Sequence, residues 1–127
     1  MSMSNELEQA IQELLLQNTV TGSNVLDNCG SGVVAATTPG SLYVGLHDAD
    51  PGEAGNQTTN EVAYTGYARE AVARSAVGWT VASNLGKNAA NIDFGLCTLG
   101  SADARFWTIG TAASGAGNVL YYGAFVD

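Results

Sequence analysis

Basic side chains are scarce in this sequence, which has 4 lysines and arginines against 12 aspartates and glutamates, a formal net charge of −8. Binding to a nucleic-acid backbone needs clustered Lys and Arg to neutralise the phosphates, so the charge balance argues against that function. It argues equally against a polybasic contact with an anionic membrane. Neither nucleic acid nor a membrane is therefore expected as a partner.

Long hydrophobic runs are also missing. No apolar stretch approaches the ~20 residues that a membrane-spanning helix needs. The N-terminus is acidic and lacks the apolar core of a signal peptide. The protein is therefore expected to be made in the cytoplasm and not to be exported by the usual route.

Cysteine is rare, with only Cys29 and Cys97 in the whole chain. Their wide separation suggests neither a zinc site nor a redox pair, although one disulfide between them remains open. Free cysteines in proteins are usually buried, so we expect both to be small buried apolar residues.

The single histidine, His47, lies in the stretch "SLYVGLHDADPGEAGNQTTNEV" beside Asp48 and Asp50. This arrangement has three readings: an active site, a metal-binding loop, or the connection between two strands. Neighbouring residues of a strand point to opposite faces, so His47 and Asp48 would diverge. No serine or cysteine motif accompanies them as a nucleophile. We therefore expect no catalytic site and no enzyme.

A calcium loop fails on spacing. The EF-hand needs oxygen ligands at positions 1, 3 and 5, a glycine at 6 and a glutamate at 12. Counted from Asp48 as position 1, position 5 is Gly52, position 6 is Glu53 and position 12 is Thr59, so none of these three matches. Asp, Pro and Gly supply turn chemistry instead, so residues 48–60 are predicted to be an exposed, mobile loop without metal or cofactor. The residues predicted to be exposed are Asp48, Asp50, Pro51 and Glu53.

Few residues are charged (13%) and 16 are glycine, a profile typical of an all-β domain with many turns. Ser4 is placed to cap a helix beginning at Asn5, and about six short strands with Gly-rich turns follow. The strands are predicted in "SLYVGLH", "VAYTGYAREAVARS", "GWTVAS", "NAANIDFGLC", "ARFWTIGT" and "NVLYYGAFV". The pattern predicts a mainly β fold, an antiparallel β-sandwich or partial barrel with one N-terminal α-helix. Residues 1–24 form the helix and connector, and residues 25–127 form a single β-rich domain.

Two segments are candidates for an assembly interface. The helix carries an apolar stripe that a short helix must bury, and we expect it to dock at a subunit or capsid interface. The last strand is apolar on both faces, so it is predicted either to lie centrally in its sheet or to be covered by an adjacent subunit. The candidate interface residues are Leu7, Ile11, Leu14, Leu15, Tyr121 and Phe125.

The segments "LYVGLHDADPGEAGNQTTNEVAYTGYAREAVARS", "NAANIDFGLC" and "FWTIGTAASGAGNVLYYGAF" together resemble a family of small tailed-bacteriophage virion proteins. Its members are variously labelled head decoration, capsid fibre or tail-fibre-like proteins. Two features depart from the family pattern. Glu70 stands where an apolar or neutral residue is expected. Members often continue with one or two further strands beyond the point where this sequence stops, so a neighbouring subunit is one way to complete the sheet.

The resemblance implies a structural virion protein without catalytic residues. Within that class the favoured prediction is a capsid decoration, or cement, protein. The reason for this preference is that the chain is short and has no internal repeat, whereas fibres that read receptors are usually longer and repetitive. A decoration protein would form a homo-oligomer and bind the major capsid protein or another virion protein. The alternative is a tail- or fibre-associated module that contacts a carbohydrate or receptor on the host surface. The tyrosines at 64, 67, 121 and 122 would supply a stacking face for that role.

Overall fold

A computed structural model describes residues 1–20 and 35–126, and the chain divides into two compact units. The first unit contains Met1–Ser41 and Ala73–Asn91, and the second contains Leu42–Val72 and Ile92–Asp127. The elements are α1 (Asn5–Gln17), β1 (Ser41–His47), β2 (Glu70–Ala73), β3 (Trp79–Ala82), β4 (Leu85–Asn88), β5 (Phe106–Gly110) and β6 (Val119–Ala124). The predicted mainly β, antiparallel class with one N-terminal helix is confirmed. The domain boundary predicted after residue 24 lies outside the described residues.

Both ends of α1 are closed by specific hydrogen bonds. The Ser4 Oγ atom accepts from the backbone N–H of Leu7 at 3.3 Å, which is the predicted N-cap. At the other end the guanidinium of Arg74 donates to the carbonyls of Leu14 and Leu15, both at 2.9 Å. A cation at this end also complements the helix dipole, so Arg74 stabilises a helix too short to persist alone.

The helix packs on the β3–β4 hairpin through a face that differs from the predicted stripe. Its fully buried residues are Ala10 and Leu16, at 7% and 3% exposure. The Gln12 Nε2 atom donates to the Asn84 carbonyl of the hairpin at 2.7 Å. The stripe residues Leu7, Ile11, Leu14 and Leu15 are only partly buried. The prediction that the stripe is buried at a subunit or capsid interface stays a prediction, because its partial exposure is that of a single chain.

The second strand of this hairpin, β4, is not predicted by the sequence pattern. Ser83 and Asn84 both have positive φ angles, 50° and 64°, which is the backbone of a two-residue type I′ turn. This turn matches the twist of paired strands, and it brings β4 back along β3. The sequence "NLGKN" carries no alternating apolar pattern, so β4 had no periodic signal.

The second unit is built on a four-stranded sheet with the order β2-β1-β5-β6. Strand β5 pairs antiparallel with both β1 and β6. The core of this unit contains Leu42, Val44, Val62 and Ile109. Among the described residues β6 is an edge strand, so the prediction of a central last strand is wrong. Its cover by a neighbouring subunit stays a prediction.

In "NAANIDFGLC" only Asn88 belongs to a strand, as the last residue of β4, and the strand predicted over residues 89–97 is wrong. Residues 91–98 are irregular. Two backbone hydrogen bonds attach the end of this segment to Thr65: the Thr98 N–H donates to the Thr65 carbonyl, and the Thr65 N–H donates to the Leu99 carbonyl. The Phe94 ring stacks on Tyr67 with a centroid distance of 6.2 Å. Phe94 therefore serves aromatic packing rather than a sheet.

The loop after β1 is less open than predicted. Asp48, Asp50 and Glu53 lie exposed, but Pro51 is buried, which corrects the prediction for that residue. Gln57 is also fully buried. A loop with such anchors is packed onto its own domain rather than free in solvent.

The cysteine prediction is wrong at Cys97, which is an exposed free thiol. Cys29 lies outside the described residues. Within residues 1–20 and 35–126, no helix has the length and apolar character that a membrane crossing needs.

Candidate functional site

His47 is a buried structural residue. Its exposure is 0%, and both ring nitrogens have partners: Nδ1 donates to the Thr59 carbonyl at 2.8 Å, and Nε2 lies 2.9 Å from the Thr108 hydroxyl. The neighbouring Asp48 is exposed, as strand alternation predicts. In the described part of the chain, no group of three or more His, Cys, Asp or Glu is placed to hold a metal ion.

A buried polar group of the second unit, here named the Arg69 cluster, consists of Glu61, Tyr67 and Arg69 with the carbonyls of Ala112 and Gly115. Arg69 binds both carboxylate oxygens of Glu61 at 2.7 Å. It also donates to the Ala112 carbonyl at 3.0 Å and the Gly115 carbonyl at 2.9 Å. Because the Arg69 side chain is only 3% exposed, this ion pair connects the segment around residue 61 to the β5–β6 turn from inside the domain.

Tyr67 completes the cluster. Its hydroxyl donates to Glu61 at 2.9 Å and accepts from the backbone N–H of Leu46 at 3.0 Å. Burial raises the pKa of Tyr67 above its ordinary value of 10.0. The Leu46 hydrogen bond opposes the rise and the negative charge of Glu61 adds to it.

Because the pKa of Tyr67 is raised, the free energy of unfolding should change with pH in the alkaline range. Above pH 10.0 the unfolded state loses the Tyr67 proton while the folded state keeps it, so the free energy of unfolding should fall as pH rises. We expect Tyr67→Phe to show a shallower fall over that range, measured by urea unfolding at stepped pH. An equal slope in both proteins would contradict the assignment. Tyr121, whose pKa burial also raises, contributes to the slope in both.

Above the cluster lies an open groove of about 750 Å³, here named the tyrosine groove. Its lining includes Tyr64, Tyr67, Arg69, Leu99, Ser114 and Gly115. The two tyrosine rings lie 5.4 Å apart and tilted by 55°. The Tyr64 hydroxyl donates to the Gly95 carbonyl at 2.8 Å, and the Tyr67 hydroxyl is bound within the cluster, so both rings are fixed in orientation.

Two glycines allow the backbone to close behind these rings. A Cβ atom at Gly66, whose φ is +105°, would collide with the Leu96 carbonyl. A Cβ atom at Gly95 would collide with the Gly66 carbonyl. Gly66 and Gly95 therefore mark a close crossing of two segments at the base of the groove.

Gly66→Ala should lower the free energy of unfolding by about 2–4 kcal/mol, because it adds a backbone collision to the ordinary cost of a positive φ. Gly52→Ala is the matched control: its φ is +69° and nothing lies within 4 Å of the added Cβ atom. We expect Gly52→Ala to cost about 1 kcal/mol. Chemical denaturation of both variants measures the difference, and equal costs would show that the crossing is not tight.

The predicted interface residues are divided between the two units. The helix stripe belongs to the first unit, whereas Tyr121 and Phe125 belong to the second. Tyr121 is half-buried on β6, and Phe125 is exposed just beyond it. Of the four tyrosines proposed as a stacking face, only Tyr64 and Tyr67 line the groove.

The residues that sequence reasoning missed are Glu61, Arg69 and Leu99. One signal was available for Arg69, because it is one of only 4 basic residues and stands in a segment with few charges. An arginine that is buried in such a segment needs a partner, because a charged side chain is almost never fully buried unless it is paired. Glu61 had no local signal, since its contact with Arg69 depends on the fold.

The fold is that of a small β-rich protein, and no metal-binding group of three or more His, Cys, Asp or Glu lies among its described residues. The model of the family named podophage GP4 fiber I protein gp80 matches residues 17–127, so the chain belongs to this family of phage virion fibre proteins. The resemblance predicted from the sequence is thereby confirmed. No curated protein and no solved structure matches the chain.

Proposed function

We propose that the chain is a non-catalytic structural subunit of a virion fibre and that it assembles with copies of itself. The observation that carries this proposal is the match of residues 17–127 to a fibre protein family. Full burial of His47, with both ring nitrogens hydrogen-bonded, supports a structural rather than catalytic role. The net charge of −8 supports protein partners over nucleic acid or a membrane surface.

Capsid decoration, the function that the sequence favoured, is the second candidate. The short chain without an internal repeat supports it, since receptor-reading fibres are usually longer and repetitive. The family match fits the fibre role at least as well. Both candidates are structural roles on the virion, and they differ in where the protein lies.

Antibody labelling of intact virions in electron micrographs separates the two candidates. We expect label on fibres projecting from the particle. Label distributed over the head shell, together with a lower melting temperature of shells that lack the protein, would replace the fibre proposal with the decoration proposal. The controls are virions that lack the gene product and an antibody against the major capsid protein.

A further inference from the structure

The tyrosine groove and an exposed apolar end of the same domain have complementary chemistry. Phe125 and Val126, here named the tail, follow β6 and are 49% and 97% exposed. The tail thus presents two apolar side chains to solvent at a fixed position, because the Phe125 N–H donates to the Arg105 carbonyl at 2.9 Å. Exposed aromatic and aliphatic groups of this kind act as anchors when a pocket of matching character is offered.

The groove offers such a pocket. Among the described residues that line it, only Glu61 and Arg69 are charged, and they neutralise each other through a bidentate pair. Both tyrosine hydroxyls have partners within the domain, so the rings present apolar surface to the groove. Leu99 lines the same space and is 74% exposed. A neutral, preorganised and largely apolar groove suits an uncharged apolar segment better than an ion.

The two features lie toward opposite ends of one hairpin. The turn between β5 and β6 contributes Ser114 and Gly115 to the groove, and the tail leaves the hairpin at its open end, where Phe106 pairs with Ala124. The paired part of β5 runs from Phe106 to Gly110. Its four steps separate those ends by about 14 Å at ~3.4 Å per residue. The exposure of the tail also shows that it does not fill the groove of its own chain.

We infer that the tail of one copy binds in the tyrosine groove of the next copy, an inference that rests on the proposed self-assembly. Because groove and tail are different surfaces, the contact is heterologous and each bound copy leaves one free groove and one free tail. Such a contact propagates head to tail into a ring or an open filament, whereas a two-fold contact stops at a dimer.

The chain's charge sets how this contact responds to salt. Each copy carries −8, so two copies repel each other, and the repulsion is screened as ionic strength rises. The groove itself contributes no unpaired charge. Association should therefore strengthen with added sodium chloride, the opposite of what a contact made by ion pairs would do.

Two matched pairs of variants test the contact. Val126→Asp disables the tail, and its control is Val77→Asp, an equally apolar residue that is 84% exposed in the other unit. Leu99→Asp disables the groove, and its control is Leu96→Asp, which is 85% exposed and does not line the groove. Each pair adds the same charge at an exposed position, so circular dichroism should show all four variants folded.

Sedimentation velocity of the full chain over a wide concentration range is the measurement. We expect wild type and both controls to form assemblies larger than a dimer, and Val126→Asp and Leu99→Asp to associate at least ~10-fold more weakly. An equal mixture of these two should form a dimer and nothing larger, because one intact tail meets one intact groove. Only a heterologous contact predicts rescue on mixing.

Several results would overturn the inference: a monomeric wild type, undiminished assembly of Leu99→Asp, no rescue on mixing, or equal loss in a control variant. Saturable binding of neutral oligosaccharides that Leu99→Asp abolishes, without any change in assembly, would assign the groove to a sugar instead. The mixing result does not depend on where the protein lies on the virion. Label on the head shell would therefore reject the fibre proposal and leave the proposed contact between copies unaffected.

Discussion

Replacing Arg69 with alanine should lower the free energy of unfolding by about 3–5 kcal/mol, the largest effect expected from a single substitution in this chain. The change removes both bonds to Glu61 and leaves that carboxylate, whose side chain is 17% exposed, without its partner. It also releases the carbonyls of Ala112 and Gly115, so the β5–β6 turn loses two of its hydrogen bonds and keeps those to Gln57. Urea unfolding followed by circular dichroism measures the loss.

Arg105→Ala provides the matched control. Arg105 also pairs with a carboxylate, that of Asp103, but the two side chains are 67% and 69% exposed. An exposed pair contributes only about 0–1 kcal/mol. The double variant of Arg69 and Glu61 should cost less than the sum of the single variants, because it removes the uncompensated charge. Equal losses from the two arginine variants would show that burial of the Arg69 cluster is not the source of its stability.

Replacing His47 with alanine should lower the free energy of unfolding by about 2–5 kcal/mol, the second large effect. This loss is expected even though no catalytic role is proposed for His47. The substitution opens a cavity in a fully buried position and leaves the Thr59 carbonyl and the Thr108 hydroxyl without their partner. Thermal unfolding followed by circular dichroism measures the cost.

Asp48→Ala separates this result from a functional His–Asp pair. Asp48 is exposed beside His47, and we expect its removal to change the free energy of unfolding by less than about 0.5 kcal/mol. If both substitutions left stability unchanged but abolished a hydrolytic activity of the purified protein, the structural assignment of His47 would be wrong.

Much of the architecture follows from local sequence signals. Ser4 marks the helix start because its side chain can reach an amide three residues ahead. The alternation in "SLYVGLH" and "RFWTIG" predicts β1 and β5 because a half-buried strand repeats every two residues. The family also follows from the sequence, since the match depends on residue order and not on coordinates.

Errors arose where long-range contacts override local pattern. The segment containing Phe94 has strand composition, yet its aromatic ring is used against Tyr67, which lies 27 positions earlier in the chain. Strand β4 has no periodic signal and forms because a type I′ turn brings it back against β3. Pro51 was expected in solvent because turn residues usually lie there, but in the fold it is buried.

Composition, local patterns and residue order are enough to give the class of the protein: a charge-poor, mainly β chain with a capped helix, in a family of phage virion fibre proteins. The candidate site, by contrast, depends on the folded arrangement of the chain. Glu61, Arg69 and Leu99 come together with Ser114 and Gly115 because segments distant in sequence fold against one sheet. Composition and periodicity report which face of one element is apolar, and they carry no information on which element will lie against that face. The groove and the buried ion pair beneath it therefore exist only once the chain has folded.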